Sequence, residues 1–143
     1  MGKRLVVCVL AFMLLFSCVQ FASANSVADT QASHYLHGYT TYLFPGSSSG
    51  DIRLEYIISA NSVMQSVGVS KIVVYKPDGS YVTTITGTVS NGLLGTSDAH
   101  HSGNYIYHGT PGTSYYFAVT VYAGDSTGSD SRTVTTNTVK APA

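Results

Sequence analysis

Short segments in which apolar and polar residues alternate run through most of the chain, separated by turn residues at intervals of about ten positions. The clearest example runs from Tyr115 to Ala123, where every second side chain is large or apolar. Alternation of this kind places one side of a β-strand in a core and the other side in solvent. Seven such segments, with no competing long helical periodicity, predict an all-β domain made of two packed sheets, a seven-stranded sandwich.

The predicted strands are separated by recognisable turns. Pro77-Asp78-Gly79 predicts a tight hairpin turn, because proline presets φ and glycine accepts a positive φ. Between Asn61 and Gly68 the apolar spacing suggests a helical turn with Asn61 or Ser62 as its N-cap, and the region 88–102 suggests an irregular connection with a short edge strand at Val89. The strands themselves are predicted at 35–44, 52–59, 69–76, 81–86, 104–108, 115–123 and 131–139.

The first 24 residues differ from the rest of the chain. Lys3 and Arg4 precede an apolar run that extends from Leu5 to Val19, and a small-x-small site follows at Ala22-Ser23-Ala24. This arrangement predicts a secretory signal peptide cleaved after Ala24. The apolar run is shorter than the ~20 residues that a membrane-spanning helix needs.

Two alternatives to cleavage after Ala24 remain open. One is an uncleaved N-terminal anchor, and the other is lipidation of Cys18, which follows Leu15-Phe16-Ser17 in a loose likeness to a lipobox. Cleavage after Ala24 removes both cysteines, so the secreted domain is expected to be held by its core without disulfides. The predicted organisation is a signal peptide at 1–24, a flexible tail at 25–34, a sandwich domain at 35–139 and a C-terminal tail at 140–143.

Charge excludes several partner classes. The sequence has 7 Lys and Arg against 7 Asp and Glu, so no basic surface favours nucleic acid. We expect a monomer that is secreted to the extracellular space or the cell envelope, with no cofactor and no membrane contact after signal cleavage.

The segment from Thr110 to Val119 resembles the corner of a fibronectin type III domain, in which Pro-Gly-Thr-x-Tyr leads into strand F. The loop from Ala123 to Ser129 is similar to the F–G loop of that family, and the resemblance covers residues 103–139. It implies an immunoglobulin-like or fibronectin type III-like sandwich in which Tyr115 is the corner tyrosine, its hydroxyl bonded to nearby backbone. The chain lacks the tryptophan usual on strand B.

Over its whole length the chain resembles short secreted proteins of Gram-positive bacteria that carry one domain of unknown function. The shared features are a Tyr-rich first strand, an Ile72-Val73-Val74-Tyr75 strand with its Pro-Asp-Gly turn, and the closing Pro-Gly-Thr segment. This resemblance implies no activity.

Catalytic and metal-binding patterns are weak. Asp98, His100 and His101 are close in sequence, but the side chains of adjacent residues diverge on extended backbone, so a solvated loop is favoured over a metal site. Glu55 is the only glutamate, so a paired-carboxylate hydrolase is disfavoured, and no Gly-x-Ser-x-Gly elbow occurs. The sequence predicts a protein that is not an enzyme.

Tyrosine is the most informative residue type, with 11 in the chain. Tyr116 and Tyr122 fall on the predicted outer face of their strand and are the candidates for ligand contact; cross-strand pairing that only stabilises the sheet is the alternative. The function expected from the sequence is a binding or surface-adhesion module for an unidentified protein or glycan. The alternatives are a secreted structural or envelope-associated protein and a small secreted hydrolase.

Overall fold

A computed structural model describes residues 33–143 as two antiparallel β-sheets that face each other across one apolar core. The predicted all-β sandwich is therefore confirmed. The predicted signal peptide and residues 25–32 of the predicted tail lie outside the described residues. No helix long and apolar enough to cross a membrane occurs in the described part of the chain.

The described residues form nine strands. In chain order these are β1 (Leu36–Pro45), β2 (Asp51–Met64), β3 (Ser66–Tyr75), β4 (Tyr81–Thr86), β5 (Leu94–Gly95), β6 (Asp98–His108), β7 (Ser114–Asp125), β8 (Gly128–Thr135) and β9 (Val139–Lys140). Strands β1, β2 and β6 form the three-stranded sheet. The second sheet has the order β4-β3-β7-β8, with β5 paired to β3 and β9 paired to β7.

The core lies between the two sheets and follows the alternation seen in the sequence. Inward side chains of β2 from Ile52 to Ile58 face side chains of β3 and β7, and Phe117 is the largest fully buried side chain. Fully burying one side chain of this size contributes about 1.5–3 kcal/mol. The buried set is Leu36, Leu43, Ile52, Leu54, Tyr56, Ile58, Ala60, Met64, Val67, Val69, Ile72, Val74, Leu93, Tyr115, Phe117, Val119, Val121, Ala123, Val139 and Ala141.

The predicted helical turn between Asn61 and Gly68 is wrong. Strand β2 continues to Met64, and β3 begins at Ser66, so the chain changes sheets at Gln65 with strand on both sides. Such a corner needs local distortion, and Gly68 supplies it with a φ of 143°. A Cβ atom at this position would collide with the carbonyl oxygen of Leu93.

Two other boundaries differ from prediction. Val89, predicted as a short edge strand, lies in a turn and is exposed; the short strand of this region is β5 instead. Strand β6 begins at Asp98, six residues before the predicted start at Asn104. At the C-terminal end, Lys140 pairs with Ser114, Ala141 is buried, and the Pro142 carbonyl accepts a hydrogen bond from the Gly50 amide. The sandwich therefore extends past Val139 into the segment predicted as a tail.

Candidate functional site

The outer face of the three-stranded sheet carries an open groove. The register of β1, β2 and β6 aligns side chains in rungs across the sheet. Two neighbouring rungs line a groove of about 290 Å³ together with Tyr56 and Gly103; they are Tyr42–Glu55–Asn104 and Thr40–Ile57–Ser102.

Two large side chains with apolar surface form the exposed walls of this groove. Tyr42 is 57% exposed and Ile57 is 58% exposed. Ile57 is on the solvent-facing side of β2, whereas Leu54 and Ile58 are on the side that faces the core. The Ile57 side chain therefore lies outside the core. Because it is exposed, it is accessible to a ligand.

An ion pair lies beside the groove. Arg53 and Glu55 are 3.1 Å apart, and the Arg53 guanidinium lies 5.5 Å from the centroid of the Phe44 ring. Both charged side chains are more than a third exposed, so the pair contributes at most about 1 kcal/mol to stability. Its main effect is to orient the guanidinium and the carboxylate along the same edge of the groove.

The Nε atom of Arg53 is shielded from solvent and has no hydrogen-bond partner among residues 33–143. The guanidinium makes its contacts to Glu55 and Phe44 through its other atoms.

The groove combines a flat ring with several hydrogen-bonding groups. Glu55 offers carboxylate oxygens, Asn104 offers both a donor and an acceptor, and the hydroxyls of Thr40 and Ser102 do the same. Glu55 is the only acidic residue that lines the groove. Below the groove, burial raises the pKa of the Tyr56 phenol, whose hydroxyl donates a 2.6 Å hydrogen bond to the Gly92 carbonyl.

Tyr116 and Tyr122, the contact residues suggested by the sequence, lie on the outer face of the other sheet. Both are half-buried, and their separation of six residues along β7 corresponds to about 20 Å, so they do not form one site. The Tyr116 ring stacks on Tyr75 with centroids 5.3 Å apart, and Tyr81 meets Tyr75 edge-on at 6.4 Å. One face of the Tyr116 ring is thus occupied by a cross-strand neighbour.

Tyr115 points into the core and is 2% exposed. Its hydroxyl accepts a 2.9 Å hydrogen bond from the Thr110 amide, five residues upstream. The Tyr107 ring packs edge-on against it at 5.5 Å. The hydroxyl thus ties the start of β7 to the loop that precedes it.

The histidine cluster does not converge. The Nδ1 atom of His100 lies 3.0 Å from the Ser59 hydroxyl, whereas the Nε2 atom of His101 lies 2.7 Å from the Gly92 carbonyl oxygen, on the opposite side of β6. In the described part of the chain, no three His, Cys, Asp or Glu side chains are grouped as ligands for a metal ion.

The sequence reasoning missed Tyr42 and Ile57. A signal for Ile57 was available, because it is an apolar residue among Arg53, Glu55 and Ser59 in the solvent phase of β2. Tyr42 was harder to assign, since β1 has aromatic side chains in both phases.

The structure defines a two-sheet β-sandwich domain with an open groove on its smaller sheet. No model of a known protein family matches the chain, and a comparison with curated proteins gives no match either.

Proposed function

We propose that this protein is a secreted, non-catalytic binding module whose groove on the three-stranded sheet recognises a sugar ring of a surface glycan. The observation that carries the proposal is the placement of exposed Tyr42 and Ile57 around Glu55 and Asn104.

Size and chemistry both favour a saccharide. A groove of about 290 Å³ is at the lower end of the range for small-molecule sites, about 300–1,000 Å³. The apolar face of a sugar ring can lie on Tyr42, which has a large rigid surface with a polar tip. The vicinal hydroxyls of the sugar can donate to Glu55 and exchange hydrogen bonds with Asn104.

Binding without turnover is favoured by the carboxylate count. Glycosidases use two carboxyl groups that flank the scissile bond, about 5–9.5 Å apart. Glu55 is the only carboxylate that lines the groove, and it is paired with Arg53 at 3.1 Å, so the groove lacks the second carboxyl group that a glycosidase needs.

Secretion and the family likeness belong to the same proposal. The Lys3-Arg4 start, the apolar run and the Ala22-Ser23-Ala24 site support export with cleavage after Ala24. The corner hydrogen bond of Tyr115 supports a fibronectin type III-like sandwich, in a protein similar to the short secreted proteins of Gram-positive bacteria.

The experiment is a screen of the secreted protein against immobilised glycans and cell-wall polysaccharides, followed by titration of the best binder. Tyr42→Ala and Glu55→Gln are expected to weaken binding at least tenfold. Tyr81→Ala is the matched control, because Tyr81 is also a strongly exposed tyrosine, at 63%, but lies on the edge strand of the other sheet.

Three results would count against the proposal. Saturable binding that is lost in Tyr116→Ala or Tyr122→Ala but kept in Tyr42→Ala would move the site to the larger sheet. Absence of glycan binding, with the protein recovered in envelope fractions, would favour a structural role. Release of reducing sugar by the purified protein would favour a hydrolase.

A further inference from the structure

Strand β1 is an edge of the three-stranded sheet, and its central part, from Tyr39 to Tyr42, has neither a charged side chain nor a proline nor a bulge. It is ten residues long and contains no Asp, Glu, Lys or Arg. The other edge strands differ from β1. Strand β6, the second edge of the three-stranded sheet, carries Asp98, and β8, an edge of the larger sheet, carries Asp130 and Arg132. Strand β4 is also uncharged but has only six residues. A long uncharged edge presents free backbone groups on which another strand can pair.

The side chain of Asn137 shows which backbone groups of β1 point outward. The Leu43 amide donates to Asn137 Oδ1 at 3.0 Å, and Asn137 Nδ2 donates to the Leu43 carbonyl at 3.0 Å. Backbone groups alternate in direction along an antiparallel strand, so those of Thr41 and Tyr39 also point away from β2. Among residues 33–143 these amides and carbonyls have no hydrogen-bond partner.

Space for another strand lies beside these groups. A groove of about 270 Å³ runs along the edge, lined by Tyr39, Thr40, Thr41, Tyr42, Val134 and Thr135. Gly38 is also uncovered, since a Cβ atom built on it meets no atom within 4 Å.

We propose that the occupant of this edge is β1 of a second copy of the chain, paired antiparallel about a two-fold axis at Thr40. In this register Tyr39 pairs with Thr41 of the second copy, and Thr41 pairs with Tyr39 of the second copy, which gives four backbone hydrogen bonds. The segment is complementary to itself, as a two-fold interface requires.

Side chains support the same register. Thr40 faces Thr40 of the second copy, and threonine pairs are favourable across neighbouring strands. Tyr42 comes to lie over the open Gly38 of the second copy, where an aromatic ring covers an edge glycine. The pairing ends there, because Asn137 already occupies the backbone groups of Leu43.

The resulting assembly is a weak, concentration-dependent dimer with one continuous six-stranded sheet. It replaces the monomer expected from the sequence. Since Thr40 and Tyr42 line the groove described above, the two grooves of the dimer lie side by side on one face. The pairing itself does not depend on what the grooves bind.

Sedimentation velocity over a range of concentrations tests the dimer, using protein expressed from the full-length gene. Thr40→Lys places two like charges at the axis, and Thr41→Pro removes an outward amide while leaving the β2 pairing intact. Each is expected to weaken self-association at least tenfold. Ile57→Lys is the matched control, because it adds the same charge on the same rung but at the central strand.

The proposal is overturned if the protein is monomeric at every concentration, or if the dimer persists unchanged in both edge variants. Circular dichroism checks that the variants fold, and Thr40→Lys, at an exposed position, remains informative if Thr41→Pro does not. Hydrogen exchange gives a second readout: the Tyr39 and Thr41 amides should become protected only as concentration rises. Protection that is independent of concentration would assign the edge to a segment of the same chain and overturn the proposal.

Discussion

Removing the hydroxyl of Tyr115 tests the hydrogen bond that ties the start of β7 to the loop before it. In Tyr115→Phe the ring still fills its place in the core against Tyr107. The Thr110 amide loses the buried hydroxyl oxygen to which it donates at 2.9 Å. The change therefore isolates one hydrogen bond, with little change in packing.

The expected loss follows from the unsatisfied amide. An unpaired buried donor costs about 1–3 kcal/mol, whereas a domain of this size has a total stability of about 5–15 kcal/mol. With a urea m-value of about 2 kcal/mol/M, a loss of about 2 kcal/mol lowers the unfolding midpoint by about 1 M.

Tyr116→Phe is the control. Tyr116 is the next residue on β7 but points to the opposite face, where its ring stacks on Tyr75. Its hydroxyl makes no hydrogen bond to any residue in the range 33–143, so the expected change is within about 0.5 kcal/mol. Both variants are measured by urea unfolding with the m-value monitored. Equal midpoints, or a larger loss in Tyr116→Phe, would show that the corner bond does not stabilise the domain.

Two further predictions concern the sheet corner and the acid range. Gly68→Ala should lower the free energy of unfolding by at least about 3 kcal/mol, because the added Cβ collides with backbone at a positive φ. Gly79→Ala is the control: its φ is also positive but its surroundings are open, so the same urea assay should show a loss of only about 1–2 kcal/mol. Hydrogen bonds from Ser33 and Tyr35 lower the pKa of Asp130. Its contribution to stability is present above the unfolded pKa of about 3.8 and is lost as pH falls through the lower folded value. The midpoint of Asp130→Asn should therefore depend less on pH below about pH 4 than that of the unsubstituted protein, and an identical pH dependence would contradict this.

Much of the sandwich was predictable because its inner faces follow a strict period of two. The inward phase of β7 from Tyr115 to Ala123 and that of β2 from Ile52 to Ile58 are buried as the sequence indicates. The hairpin turn at Pro77-Asp78-Gly79 also occurs, with Gly79 at a φ of 83°. In these elements local propensity and tertiary burial favour the same structure.

The sequence-based predictions are wrong where local propensity and tertiary burial favour different structures. Val63, Met64 and Val67 have helical spacing, but Met64 and Val67 are buried on either side of a change of sheet while Val63 is 66% exposed. A short apolar run does not distinguish a helix turn from a bent strand. The groove was missed for a related reason: alternation identifies the buried face of a strand, but it does not show which outward side chains meet across neighbouring strands.

Hydrogen bonds between the first and last parts of the domain have a consequence for folding kinetics. Ser33 and Tyr35 bond to Asp130, and Leu43 bonds to Asn137, so these contacts link positions more than 90 residues apart. Closing such long loops has an entropic cost, which slows folding. Sandwiches dominated by distant pairings therefore fold in about milliseconds to seconds. Until residues 130–142 pack against the domain, the edge of β1 lacks both the hydrogen bonds from Asn137 to Leu43 and the neighbouring strand β8. Refolding at high protein concentration should therefore be the condition in which this protein aggregates most readily.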